Sequence, residues 1–272
     1  MAWVAVLVVV AAAALAASGP AAPVARMAPV SAAGVELSRL ADAIGQSPAD
    51  LTRGRYFYRR QWRWITTLAP RTGDLRVYAA CLELWVAEEG DGATSQVAPP
   101  PTGDLASTAP DYRSIGAEFA GITPQKTIFS AGTYNGFVDG WVPAEPVALI
   151  RYLASEPLPD APDTTLSAVA HLYLTQYLNR AARAAVLRLL AQTPALTWHP
   201  RLVDRMGRRG VGVSADLRTG RRRTLIFDPA TGQLLASQTV KARPDNELRA
   251  LPIGHVTFYT LLGEVGRRAQ LP

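Results

Sequence analysis

The chain has 272 residues, of which 49% are hydrophobic and 18% charged. That balance excludes disorder and fits one packed domain, or one domain with an appendage. The net charge of +6 rests on one window: eight arginines and two aspartates lie between Arg201 and Arg223, and the rest of the chain is neutral. Charge confined in this way excludes a uniformly basic nucleic-acid-binding coat, so no nucleic-acid partner is expected. Lys126 and Lys241 are the only lysines, and the arginine excess reads first as codon bias.

Ala2 to Ala17 is an unbroken apolar run. As a helix, sixteen residues span about 24 Å, slightly short of the ~30 Å hydrocarbon core. We read residues 1–19 as a signal-anchor that places the protein in the cell membrane as a single-pass chain. The alternative is a signal peptide cut near Ala14-Leu15-Ala16, giving a secreted body. Both readings put the body outside the cytoplasm. No basic residue precedes the run, so either the leader is unusual or the true start lies upstream. Residues 20–34, rich in Ala and Pro, form a flexible tether. Residues 35–272 are expected to form a single extracytoplasmic domain.

Within that domain Val35, Leu37, Leu40, Ala41 and Ile44 recur at helical spacing, with Gly45 as a stop. Tyr56 to Ile65 alternates as a strand, with Tyr56, Tyr58, Arg60, Trp62 and Trp64 on one face and Phe57, Arg59, Gln61 and Arg63 on the other. A second strand runs from Arg76 to Ala87. Residues 93–127, rich in Pro, Gly, Ser and Thr, read as a surface loop with at most one short strand, and Tyr134-Asn-Gly136 as a hairpin turn. Three helices follow: Val147 to Ala154 behind Pro146, a second around Leu166 to Tyr177, and a third from Arg180 to Gln192. Their apolar faces call for a sheet to cover. The last third returns to strands over 196–204, 210–217, 223–227, 234–241 and 255–262. Leu217-Arg-Thr-Gly-Arg221 and Asp228-Pro-Ala-Thr-Gly232 supply turns. The expected fold class is α+β: a curved antiparallel sheet with three short helices packed on it, after the N-terminal apolar segment.

A family resemblance rests on particular stretches: Arg55-Tyr-Phe-Tyr-Arg-Arg, Leu84-Trp-Val-Ala, the Trp141-Val-Pro helix start, Arg183-Ala-Ala-Val-Leu-Arg, Gly207-Arg-Arg-Gly-Val-Gly-Val213 and Leu225-Ile-Phe-Asp-Pro-Ala-Thr-Gly232. In these the chain resembles uncharacterised actinobacterial membrane-anchored proteins often encoded beside extracytoplasmic-function sigma factors. The resemblance covers roughly residues 35–243, and its motifs are structural. It implies a link to a sigma factor but no catalytic residues. More loosely, the chain resembles the half-barrel of lipoprotein-carrier and sigma-regulator sensor domains, which implies an apolar concavity for acyl chains.

Two groups of side chains are candidates for contact. Tyr56, Tyr58, Trp62 and Trp64 either pack as core beneath the helices or line a groove for a lipid tail or a partner's apolar side chain. Arg208, Arg209, Arg221, Arg222 and Arg223 either solvate a β-meander or form one anionic-contact face, so that Gln replacements among them should leave folding nearly intact. No metal site is expected, because His171, His199 and His255 are scattered. Gly212-Val-Ser-Ala-Asp216 departs from a nucleophile elbow at its last position, and Cys81, the one cysteine, reads as a small buried hydrophobe. No catalytic residue or cofactor is assigned. The expected function is that of a non-enzymatic accessory or sensor element in envelope regulation. A module binding a lipid or other hydrophobic ligand is the alternative, and a hydrolase the remaining one.

Overall fold

A computed structural model of the chain describes residues 31–46, 53–68, 74–99, 115, 118–131, 142–154, 162–244, 249 and 251–272. The leader, most of the tether and the Tyr134-Asn-Gly136 turn lie outside the described residues. None of the described helices is long and apolar enough to cross a membrane.

The described chain is α+β. Helix α1 (Ala32–Gln46) begins three residues earlier than its apolar spacing predicts. Strands β1 (Tyr56–Leu68), β2 (Leu75–Val86), β3 (Gly92–Val97) and β4 (Gln125–Phe129) follow. Next come helices α2 (Pro146–Ala154), α3 (Pro162–Thr175) and α4 (Arg180–Gln192). Strands β5 (Thr197–Val203), β6 (Arg209–Asp216), β7 (Arg221–Phe227), β8 (Leu234–Lys241) and β9 (Val256–Arg268) complete the chain. The expected surface loop 93–127 thus contributes two strands, and the last strand runs six residues beyond Leu262.

The nine strands among the described residues join one antiparallel sheet in the order β4-β3-β2-β1-β9-β8-β7-β6-β5. Each half is a meander, and the pairing of β1 with β9 joins them at the centre. β1 is therefore an interior strand, and its alternation sorts residues between the helix face and the far face of the sheet. The odd-numbered residues of β1 look toward the helices. Phe57 packs against Tyr177 at 5.4 Å between ring centroids, and the Arg59 guanidinium donates to the Tyr173 carbonyl. The even-numbered residues look to the far face.

The main core lies on the helix face. Ala33, Leu37, Ala41 and Ile44 form one stripe of α1 and pack on α4, whose Ala182, Val186, Leu187 and Leu190 are wholly buried. Burying a leucine completely contributes about 1.5–3 kcal/mol. Beneath the helices, Val213, Leu225, Phe227 and Leu234 form the sheet's side of this core. The Asn179 side chain caps α4 by accepting from the Ala182 amide at 2.9 Å. The Asp228-Pro-Ala-Thr-Gly232 turn anchors the helices. Tyr173 donates its hydroxyl to the Gly232 carbonyl at 2.7 Å, and the buried Arg183 donates to the Thr231 carbonyl at 2.6 Å. Gly232 adopts φ +69°, a conformation that side chains disfavour.

Candidate functional site

The aromatic row of β1 lies on the face opposite the helices, not beneath them. Tyr56, Tyr58 and Trp64 are buried there, and Trp62 is half-buried. Tyr58 donates its hydroxyl to Glu83 at 2.7 Å, and Arg60 adds two bonds to the same carboxylate oxygen. Burial pushes the Glu83 carboxyl up, but the donors Tyr58 and Arg60 outweigh it and hold the group below its ordinary value. Trp64 stacks obliquely on Tyr259 and donates its indole N–H to Glu118 at 3.0 Å. Ile115 is buried against the same cluster, so Ile115 and Glu118 both cover Trp64 on the far face. Burial raises the Glu118 carboxyl. In this arrangement Tyr58 and Trp64 are packed and hydrogen-bonded: Trp64 lies in a second core with Ile115, Tyr259 and Leu261, and Tyr58 in a separate small cluster with Tyr56 and Trp85. Cys81 is half-buried on this face opposite Trp62, and burial pushes its thiol up to about 11, well away from the reactive thiolate.

The five arginines do not come together. Arg208 and Arg209 stand at the start of β6, while Arg222 faces Asp216 at its end, roughly 24 Å along the strand. Arg208 is structural. Its Nε donates to Asp204 at 2.6 Å, and Nη2 donates to the Leu262 and Leu235 carbonyls at 2.6 and 3.1 Å. Arg222 pairs with Asp216 in solvent, and the Asp216 carboxyl is held low by that hydrogen bond. Arg223 points to the helix side, bonded to Thr239 and to Ser167 of α3. Arg209 is exposed and Arg221 half-buried.

His199 Nε2 lies 2.8 Å from Ser214 Oγ. Burial, with Arg222 nearby, lowers the imidazole's pKa. Ser214, however, is 2% exposed in mid-strand, with neighbours paired on both sides by β5 and β7. The pair is a cross-strand hydrogen bond rather than a nucleophile facing a cleft.

The helix face of β2, β1 and β9 holds the arrangement that the sequence reading missed. Ile65 pairs with Tyr78 on one side and Phe258 on the other, which sets three apolar side chains in one row. Tyr78 is 44% exposed, Ile65 38%, and Phe258 half-buried. On one border of the row stand exposed Arg76 and half-buried Thr67; on the other, Ala80, Arg63 and Thr260 form the next row. The signal for this row was present as Ile65, an apolar residue on the odd face of β1 after the polar Arg59, Gln61 and Arg63. Among the described residues no group of three metal-ligating side chains forms.

No protein-family model and no curated protein matches the chain. A solved structure, the complex of Pseudomonas aeruginosa MucA/MucB, is similar at a TM-score of 0.30 and 13% identity, over 87% of this chain and 57% of that one. A likeness at that level carries no argument about this chain.

Proposed function

We propose that the protein is a membrane-tethered extracytoplasmic module that binds an acyl chain on the Tyr78–Ile65–Phe258 row. One observation carries the reading: three large apolar side chains stand in contact register, two of them exposed, on a sheet whose other described aromatic residues are buried or half-buried. The row is one side chain deep along each strand and three strands wide, about 10 Å, which suits a single hydrocarbon chain. Arg76 and Arg63 flank it with positive charge for an anionic head. In the wider reading, drawn from the apolar leader and the family resemblance, occupancy of this row is the input of an accessory or sensor element in envelope regulation.

The test uses the full-length chain and the fluorescent fatty acid cis-parinaric acid. Ile65→Asp is expected to weaken binding at least tenfold, with Tyr78→Asp acting likewise and Ile128→Asp, at an exposed site on β4, having no effect. Equal binding by all three variants would overturn the acyl-chain reading. Recovery of the full-length chain in a soluble cytosolic fraction would overturn the tethered one.

A further inference from the structure

We infer a second site, for a small neutral polyhydroxylated molecule such as a sugar or polyol, between α3 and the centre of the sheet. Four polar atoms there have no hydrogen-bond partner: Gln61 Oε1, Thr260 Oγ1, Ser237 Oγ and Gln176 Nε2. Their residues are 4%, 0%, 1% and 3% exposed. A buried polar group left unpaired is costly, and native proteins rarely tolerate one, so four in one region need an occupant.

The register brings them together. Thr260 of β9 is paired with Ser237 of β8 on one side and Arg63 of β1 on the other, and Gln61 is two residues from Arg63 on the same face. Directly paired side chains sit about 5 Å apart and diagonal ones about 7–8 Å. Helix α3 packs on β6, β7 and β8, above Ser237 and beside Thr260. It is tied to β7 by Ser167 and Arg223, and to β1 by the Arg59 bond to the Tyr173 carbonyl. The strands between those two ties are β8 and β9, the strands that carry Ser237 and Thr260. Gln176 follows directly after α3 and precedes Tyr177, whose ring packs on Phe57 of β1, so it leaves the helix toward β1.

The chemistry of the four atoms selects the ligand. Gln61 presents an acceptor, Gln176 a donor, and Thr260 and Ser237 hydroxyls that do both. A carboxylate or phosphate could draw on the neighbouring Arg63 but offers only acceptors, and would leave the Gln61 oxygen unpaired. A molecule with several hydroxyls satisfies all four. The atoms are sealed from solvent in this arrangement, so entry requires the end of α3 to lift. The tie that must yield is the Arg59–Tyr173 bond, 3.4 Å long.

This site borders the acyl-chain row, since Thr260 lies in the next row on the same face, and it is tested with separate probes and variants. Saturation-transfer NMR and calorimetry on the full-length chain would use glycerol, myo-inositol, methyl glucoside and trehalose at millimolar concentration, with acetate and inorganic phosphate as anionic probes. At least one polyol is expected to bind while the anions do not. Thr260→Val with Ser237→Ala should weaken that binding at least tenfold without lowering the thermal midpoint, since it removes hydroxyls that have no partner. Gln176→Leu approaches the same site from the helix side and should weaken binding even if the double variant folds poorly. Ile65→Asp should leave polyol binding intact, and Thr260→Val with Ser237→Ala should leave parinaric acid binding intact. No binding by any polyol, binding of the anions instead, or variants that bind as the parent does would each overturn the proposal. So would a crystal soaked in these polyols that shows only ordered waters on the four atoms.

Discussion

Arg208 and Arg222 look alike in the sequence, each an arginine in a charged run, yet the structure gives them opposite weights. The Asp204 carboxylate beside Arg208 is completely buried and also accepts from the backbone amides of Met206 and Arg208. Removing the guanidinium leaves that charge in the interior. We therefore expect Arg208→Gln to cost about 2–3 kcal/mol in urea unfolding, less than the ~3–5 of a fully enclosed pair because Arg208 keeps 31% exposure. Arg222→Gln and Arg209→Gln should each stay within about 0.5 kcal/mol of the parent, since Arg222 pairs in solvent and Arg209 is exposed. An Arg208→Gln midpoint equal to that of Arg209→Gln would show that Asp204 does not depend on its partner. The sequence reading grouped these arginines, either solvating the meander or forming one anionic-contact face, because charge counts do not reveal which carboxylate a fold has buried.

At the scale of elements, periodicity was a reliable guide to helices and to strand faces but not to what covers each face. The alternation in β1 was legible residue by residue. Its aromatic half was expected either beneath the helices, where apolar residues ordinarily meet an apolar layer, or lining a groove, and the structure places Arg59 and Gln61 beneath the helices instead. β4 escaped notice for a different reason: Gln125 to Ile128 are all exposed, as suits a short edge strand, and leave no inward pattern to read. β9 was cut short at Leu262 by Gly263, which in a strand signals a bulge or a close approach. Both are present. The β1–β9 register shifts there, and a Cβ added at Gly263 would stand 2.6 Å from the Trp62 ring. Gly263→Ala should accordingly cost about 1–3 kcal/mol through overpacking. Trp62→Leu in the same chain should recover part of the loss, measured by denaturant midpoint. Without that recovery, the glycine would be required by the bulge itself rather than by the tryptophan.

For the whole molecule, the decisive pairing is that of β1 with β9, which joins residues such as Tyr56 and Arg268 across most of the chain. No local signal announces it: each meander was readable alone, and only packing of both around a shared centre selects the partner. Near this junction, at the base of the β8–β9 hairpin, His255 is 8% exposed and its Nε2 lies 3.5 Å from Thr66 Oγ1 of β1. Burial holds its imidazole below the ordinary value of 6.5, and His199 is lowered in the same direction. A histidine with a depressed pKa in the folded state binds fewer protons there than in the unfolded chain. Stability is then complete above about pH 6.5 and falls as the pH drops through 6.5 toward the folded-state value. Asp216, lowered by its bond to Arg222, contributes in the same sense but only near and below its ordinary 3.8. The two effects therefore separate on the pH axis. Urea midpoints measured from pH 8 to pH 4.5 should be level above 6.5 and decline below it, and His255→Gln should flatten that decline while leaving any further loss near pH 4 in place. A His255→Gln profile that still falls as steeply between pH 6.5 and 5 would assign the decline to other groups and remove His255 from the acid sensitivity of the central junction.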